Sequence, residues 1–293
     1  MKRTIPDKAQ LLIGASAQGI QAWQCEYDYW FTYLIKELNS SPLDIIYKGS
    51  TVLCKIMDLV PRLPRDLDIL ILPSSDSYRS DLLDESQQRK KYFTQLKELL
   101  AFPELSDPVM VLEDSQYRQV QYQFRYPSYF QGADGGVLTL ELSLYQGEPW
   151  EKYSLKGPFD IEAMSIACYN HEQSFLDKIN IISHRYHLLA QGHKWPSPFI
   201  HHYYDLWFLL QNPVYRKLLD QPSARSYLDS LFKGKYPLEL NKNPAFMLWP
   251  FDLMDKAVTW WQEASPLYLH EIPDFWELIG QISQWLGPAS QLD

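Results

Sequence analysis

Residues 43–72 constrain the fold more than any other stretch of this sequence. Two short apolar runs, Leu43–Tyr47 and Leu67–Leu72, have the length and the β-branched content of buried strands. The residues between the two runs are enough for a turn and a short helix. The stretch therefore predicts a strand, a turn, a helix and a second strand in succession.

The turn after the first run carries small residues. Gly49 permits a tight change of backbone direction, and Ser50 or Thr51 can cap a helix that continues to about Leu59. Backbone N–H groups at the start of a helix, together with the helix dipole, favour negative charge. This corner is therefore suited to a phosphate group.

Two aspartates begin the second apolar run. Because side chains alternate along a strand, Asp66 and Asp68 point to one face, and Leu67, Ile69 and Ile71 point to the other. Two carboxylates this close repel each other unless a cation lies between them. Carboxylate oxygens beside a phosphate-sized turn suit magnesium-assisted phosphoryl transfer. We therefore expect a Mg²⁺ site, with room for a second ion.

The motif in this stretch resembles that of a known family. Gly49-Ser50, a helix and then Asp66-Leu67-Asp68 resemble the signature of the DNA polymerase β superfamily of nucleotidyltransferases. More narrowly, residues 47–71 resemble the opening motif of the AbiEii-type nucleotidyltransferase toxins, in which G-G/S-T-A-L precedes R-x-S-x-D-L-D. Arg62 and both aspartates match, whereas Pro64 stands where that family usually has Ser or Thr.

The resemblance implies a fold, an activity and a set of site residues. The implied fold is α/β (α+β): a polymerase-β-like mixed sheet flanked by helices, followed by a mostly helical C-terminal domain. The implied activity is transfer of a nucleoside monophosphate from a nucleoside triphosphate. The implied roles are metal binding by Asp66 and Asp68, and nucleotide binding by Gly49, Ser50 and Thr51.

Three later segments have the composition of strands: Val109–Leu112, Tyr117–Tyr126 and Val137–Tyr145. In the last of them Glu141 is flanked by leucines. A carboxylate in a central strand is costly to bury without a partner, so Glu141 either faces solvent on an edge strand or belongs to a charged site. By resemblance it would be the third metal-binding carboxylate and the general base.

The second half of the sequence is helical, and Ser165–Gln191 predicts one long helix. Lys178 lies beside its apolar stripe, where a lysine usually extends its ammonium group to solvent. The segment also resembles an AbiEii-type motif, with Lys178 and Arg185 matching and Asp177 in place of Glu. By that resemblance Lys178 is catalytic and pairs with the β- or γ-phosphate.

Residues 201–211 resemble the family segment R-D-x-x-D-L-x-x-L. His201 and His202 replace the usual Arg and Asp, whereas Asp205 matches. Asp205 would either orient Lys178 through an ion pair, as part of the nucleotide site, or cap a local turn.

The loop-like stretch Gly147–Asp160 predicts a domain boundary. Residues 1–155 would form the nucleotidyltransferase core, and residues 156–293 a helical domain that closes over the cleft. In the core, periodicity predicts helices over residues 16–38 and 84–101.

The overall composition restricts the function. A net charge of −9 argues against broad, sequence-independent binding of nucleic acid. The sequence has no apolar run of about eighteen residues and no signal-peptide core, so we expect a cytoplasmic protein without a membrane partner. Its three cysteines are odd in number and far apart in sequence, which favours small buried apolar residues over a disulfide framework or a zinc site.

Several functions fit these observations. The first is a toxin-like nucleotidyltransferase that modifies RNA, such as tRNA, or a protein, with an antitoxin as partner. The second is a catalytically degenerate binding module, which the departures Pro64, His201 and His202 favour. The third is a nucleotidyltransferase acting on a cationic small molecule of the aminoglycoside kind.

Overall fold

The protein is described from a computed structural model covering residues 5–72, 85–113, 118–145, 147, 149–193 and 199–286. The chain forms two compact units. The first consists of Met1–Met57 and Leu63–Tyr169, and the second of Asp58–Arg62 and Asn170–Asp293. The sequence-based boundary at residues 155 and 156 therefore falls inside the first unit, which continues to Tyr169.

The first unit contains one mixed sheet, and seven of its strands lie in the described residues. They are β1 (Ile45–Tyr47), β2 (Asp66–Ile71), β3 (Val109–Glu113), β4 (Gln119–Tyr126), β5 (Gly136–Leu144), β6 (Glu151–Leu155) and β7 (Met164–Cys168). Their order across the sheet is β3-β4-β5-β2-β1-β7-β6. β2 runs parallel to β5 and β1 parallel to β7, whereas the other neighbours are antiparallel. The predicted mixed sheet is confirmed.

Three helices of the first unit are α1 (Lys8–Gln18), α2 (Ala22–Ser40) and α3 (Glu85–Leu99). The helix predicted over residues 16–38 is confirmed for its main part, α2, but its predicted start is wrong, because the helix is interrupted between α1 and α2. Gly19 ends α1 with a left-handed φ of 67°, and Gln21 begins α2 with a capping box. The predicted helix over 84–101 corresponds to α3, although residue 84 lies outside the described residues.

The helices α2 and α3 cover one face of the sheet. Trp30 of α2 stacks on Tyr126 of β4 with ring centroids 5.4 Å apart, and the Tyr122 hydroxyl donates to the backbone oxygen of Phe93 in α3. The alternate residues of β4 and β5 point to the other face. That face therefore carries the polar side chains of the sheet.

Two strands were missed by the sequence analysis. β6 lies in the stretch predicted as a loop, and β7 lies where the long helix was predicted to begin. The two pair residue by residue from Glu151 with Cys168 to Leu155 with Met164. Such short strands are stabilised by pairing across the sheet rather than by their own propensity. The strand predicted from Tyr117 begins at Gln119, and Tyr117 lies outside the described residues.

The second unit is mostly helical, as predicted. Its longer helices are α4 (His171–Ala190), α5 (His201–Gln211), α6 (Pro213–Leu218), α7 (Pro222–Phe232), α8 (Phe251–Ala264) and α9 (Phe275–Trp285). The capping box of Asn170 and Gln173 starts α4 after the last strand. Among the described residues, none of the helices has both the length and the apolar character needed to cross a bilayer.

Candidate active site

The turn after β1 brings the backbone against a carboxylate. Gly49 has a φ of 65°, in the left-handed region that glycine adopts without strain. A Cβ atom at this position would overlap Oδ2 of Asp68. Only glycine therefore permits both the backbone conformation and the close approach of the Asp68 carboxylate to the turn.

The helix after this turn is a π-helix, Thr51–Ile56, and ends before the predicted Leu59. The N–H of Met57 closes it by donating to the backbone oxygen of Val52 at 2.9 Å. Ser50 stands at its start without a capping hydrogen bond from its side chain, so that part of the capping prediction is wrong. π-helical turns are rare and occur frequently at functional sites.

The hydroxyl of Thr51 connects this helix to β2. It donates to the backbone oxygen of Asp66 at 3.3 Å and accepts from the backbone N–H of Asp68 at 3.1 Å. Thr51 is fully buried. Its hydroxyl therefore neither caps the helix nor points outward to a nucleotide, but fixes the strand segment that carries both aspartates.

The three predicted carboxylates lie on one face of the sheet. Along β2, Asp66 and Asp68 are partly exposed, whereas the alternating residue Leu67 is buried. Asp68 is the register partner of Glu141 on the parallel strand β5, and Asp66 is the partner of Thr139. Glu141 is thus on a central strand beside Asp68, and the edge-strand alternative for Glu141 is wrong.

A residue that sequence reasoning missed continues this row. Gln121 of β4 is the register partner of Glu141, and its Nε2 donates to Glu141 Oε2 at 3.0 Å. Gln121, Glu141 and Asp68 form a line across three neighbouring strands, which we call the cross-strand row. The alternation of glutamine with apolar residues in β4 indicates a polar face for Gln121, but the register of β4 with β5 does not follow from this pattern.

The donor set suits a hard divalent cation. Asp66, Asp68 and Glu141 offer carboxylate oxygens from one sheet face, although no three His, Cys, Asp or Glu side chains in the described parts of the chain are grouped closely enough to form a metal site by themselves. Mg²⁺ is usually held by one or two carboxylates, with waters and substrate phosphates completing its coordination. The chemistry of these residues therefore fits a magnesium ion that has further ligands from outside the protein.

The second unit contains a buried charged cluster, formed by Arg62, Lys178, His202 and Asp205. Arg62 binds Asp205 through two hydrogen bonds, Nε to Oδ1 at 2.5 Å and Nη2 to Oδ2 at 2.7 Å. Nζ of Lys178 lies 2.8 Å from Asp205 Oδ2 and 3.2 Å from Nδ1 of His202. Arg62 and Lys178 are each 1% exposed and Asp205 is 0% exposed.

This cluster decides between the alternatives for Lys178 and Asp205. The predicted ion pair between them is confirmed. The alternative that Lys178 extends its ammonium group to solvent is wrong, because this group is buried against two partners. The alternative that Asp205 caps a local turn is also wrong, because Asp205 lies inside α5. The partner of Arg62 could not be found from the sequence, since 143 positions separate it from Asp205.

The cluster also shifts the pKa values of its members. Burial alone would raise the pKa of Asp205, but Arg62 and Lys178 outweigh it and hold that pKa well below its usual value. Burial, with His201 and Lys178 nearby, lowers the pKa of His202 well below its usual value. His202 is therefore neutral, and its Nδ1 accepts a hydrogen bond from Lys178.

The lowered pKa of His202 predicts a loss of stability in acid. The unfolded chain binds a proton at His202 near pH 6.5, whereas the folded chain does not, so the free energy of unfolding falls as pH decreases below that value. We expect this group to lower the free energy of unfolding by about 1.4 kcal/mol in total between about pH 7.5 and about pH 5.5, with the steepest dependence at the acidic end. Urea denaturation between about pH 7.5 and about pH 5.5 measures the slope.

Two variants isolate this contribution. His202→Asn keeps an acceptor for Lys178 but cannot titrate, so its stability should depend less on pH than that of the wild type. His193→Asn, at an exposed position, is the matched control and should keep the wild-type slope. Equal slopes in wild type and His202→Asn would show that His202 does not carry the effect.

A Gly-Ser turn beside two aspartates of a mixed sheet, with a helical unit after it, is the arrangement of a nucleotidyltransferase. The family model described as nucleotidyl transferase AbiEii toxin, type IV toxin–antitoxin system, matches residues 40–275. The chain therefore belongs to the AbiEii nucleotidyltransferase toxin family, as its motifs predicted.

A solved structure supports the fold independently. The nucleotidyltransferase toxin MenT4 from Mycobacterium tuberculosis H37Rv superimposes with a TM-score of 0.59. The likeness covers 98% of this chain and 92% of MenT4, at 12% sequence identity. At that identity the likeness concerns the fold alone. The search of curated proteins found no match.

Proposed function

We propose that this toxin-family nucleotidyltransferase is magnesium-dependent and transfers a nucleoside monophosphate from a nucleoside triphosphate to an acceptor hydroxyl. The observation that carries the proposal is the position of Asp68. Its carboxylate contacts the Gly49 turn, and its register partner is Glu141. A phosphate-sized turn and two carboxylates thus meet in one part of the first unit.

Each group has a defined task in the proposed reaction. Asp66, Asp68 and Glu141 would hold magnesium, which supplies charge neutralisation on the triphosphate. The backbone of Gly49 and Ser50 at the helix start holds phosphate oxygens. Glu141 accepts the proton of the acceptor hydroxyl. The acceptor oxygen then bonds to the α-phosphorus, the bond from that phosphorus to the bridging oxygen breaks, and pyrophosphate leaves.

Lys178 and Asp205 have a different task in this proposal. Both were expected to take part in nucleotide binding, and both are buried in the charged cluster. A buried ammonium group that is paired with a carboxylate is not available to a triphosphate without rearrangement. We therefore assign Lys178 and Asp205 to the stability of the second unit.

The degenerate binding module is the weaker alternative. Pro64 departs from the family motif, yet its backbone oxygen accepts a hydrogen bond from the Tyr27 hydroxyl at 3.0 Å, which holds the approach to β2. His202 also differs from the family motif, but its neutral ring accepts a hydrogen bond from the buried ammonium group of Lys178. Local contacts thus accommodate Pro64 and His202, so neither of these two departures is by itself an argument for a degenerate scaffold.

The functional partner and the acceptor are two further parts of the proposal. Membership in a type IV toxin–antitoxin family supports an antitoxin as the functional partner. For the acceptor we propose RNA, such as tRNA, or a protein. With a net charge of −9, RNA would have to bind through a local surface rather than through overall attraction.

Transfer of labelled nucleotide tests the proposed function. The wild-type protein is incubated with each of the four α-labelled nucleoside triphosphates and Mg²⁺, in separate reactions with cellular RNA, cellular protein and an aminoglycoside. We expect label in RNA or protein and none after chelation of the metal. Label in the aminoglycoside alone would favour a small-molecule enzyme, and no label in any acceptor would contradict the proposal.

A further inference from the structure

The side chain of Glu141 is held by a neutral neighbour. Its Oε2 receives a hydrogen bond from Nε2 of Gln121 at 3.0 Å, and both residues are partly exposed on the polar face of the sheet. Their backbones are fixed, because β5 is paired with β4 on one side and with β2 on the other. The remaining freedom of Glu141 lies in its side-chain torsions, and the Gln121 hydrogen bond restricts those torsions.

The chemistry of an amide suits this position. A lysine beside Glu141 would neutralise the carboxylate and compete with a cation, and a second acid would repel it. The amide N–H group occupies one carboxylate oxygen without adding charge. Residues that hydrogen-bond to ligating carboxylates orient them, and their removal typically costs 10- to 100-fold in metal affinity or activity.

We propose that Gln121 is a positioning residue, which fixes the orientation of the Glu141 carboxylate for metal binding and proton transfer. This inference rests on the proposed function, because it assigns Gln121 a task in the same site. The cross-strand row gives the physical basis: the backbone register sets Glu141 between Gln121 and Asp68, and the hydrogen bond from Gln121 restrains the carboxylate of Glu141.

The same contact is also an ordinary cross-strand pair, which would contribute only to sheet stability. The other glutamines of β4 provide the comparison. Gln119 and Gln123 lie on the same strand and the same face, and their register partners are Ser143 and Thr139 rather than a carboxylate. Replacing Gln119 or Gln123 by leucine makes this sheet face more apolar, as Gln121→Leu does, but leaves the hydrogen bond from Gln121 to Glu141 in place.

The test compares Gln121→Leu with the matched controls Gln119→Leu and Gln123→Leu. We expect Gln121→Leu to lower kcat about 10- to 100-fold and to weaken Mn²⁺ binding, measured calorimetrically with a non-hydrolysable triphosphate analogue, by about the same factor. When Mg²⁺ is saturating for each variant, the KM for the nucleotide should stay near that of the wild type, and so should the thermal unfolding midpoint. Both controls should keep the wild-type kcat and Mn²⁺ affinity.

A double-mutant cycle with Glu141→Gln shows whether Gln121 acts through Glu141. If it does, adding Gln121→Leu to Glu141→Gln should have no further effect on Mn²⁺ affinity. Additive effects, or equal losses in all three leucine variants, would overturn the inference. If the wild type transfers no nucleotide, the proposed function fails. If the wild type transfers nucleotide and Gln121→Leu keeps the wild-type kcat and Mn²⁺ affinity, only the inference about Gln121 fails.

Discussion

Asp205→Ala is expected to destabilise the second unit by about 3–5 kcal/mol, a large part of the stability of an ordinary domain. Asp205 is the carboxylate that pairs with both Arg62 and Lys178, and all three side chains are buried. Its removal leaves two cations next to each other in a medium of low polarity. Chemical denaturation followed by tryptophan fluorescence measures the change in the free energy of unfolding.

Lys178→Met is the matched comparison, because it removes one cation and leaves the doubly hydrogen-bonded pair of Arg62 and Asp205. Methionine fills much of the volume of the lysine chain, and the remaining pair is balanced in charge. This variant should therefore be clearly more stable than Asp205→Ala. The reverse order of stability would contradict the assignment of Asp205 as the shared counter-ion of the cluster.

Asp68→Asn should reduce nucleotide transfer on the order of 10³-fold, because the bound metal contributes several kcal/mol of charge stabilisation in the transition state. The substitution keeps the shape of the side chain and leaves the backbone contacts of Asp68 with Lys48 and Thr51 in place. Folding should therefore be preserved. The rate of label transfer at saturating triphosphate and Mg²⁺ measures the effect.

The control for this variant is Asp160→Asn, which removes the same charge at an exposed position of the first unit. It should transfer nucleotide at the wild-type rate. If Asp68→Asn is as active as Asp160→Asn, Asp68 is not a metal ligand in the reaction.

The polar face of the sheet could be predicted from the sequence because it depends on alternation alone. A period of two places Asp66 and Asp68 on one face and Leu67 on the other, whatever the rest of the chain does. The same alternation separates Glu141 from the buried leucines on either side of it in β5. The family motif then supplied the roles of these residues, which alternation cannot provide.

The contacts that connect distant segments could not be predicted in this way. The pairing of Arg62 with Asp205 and the register of Gln121 with Glu141 depend on how the chain packs, which local pattern does not encode. The strands β6 and β7 were missed for a related reason, since each is short and is stabilised mainly by its neighbours. Ion pairing between Lys178 and Asp205 was predicted only because the family motif suggested it.

Nucleotide binding with and without a divalent cation tests the central claim most directly. In calorimetric titration of the wild type with a non-hydrolysable triphosphate analogue, we expect binding only when Mg²⁺ or Mn²⁺ is present. The double variant Asp66→Asn/Asp68→Asn should not bind under either condition. Equal binding by wild type and double variant, or wild-type binding that does not depend on the cation, would contradict a shared metal site on this sheet face.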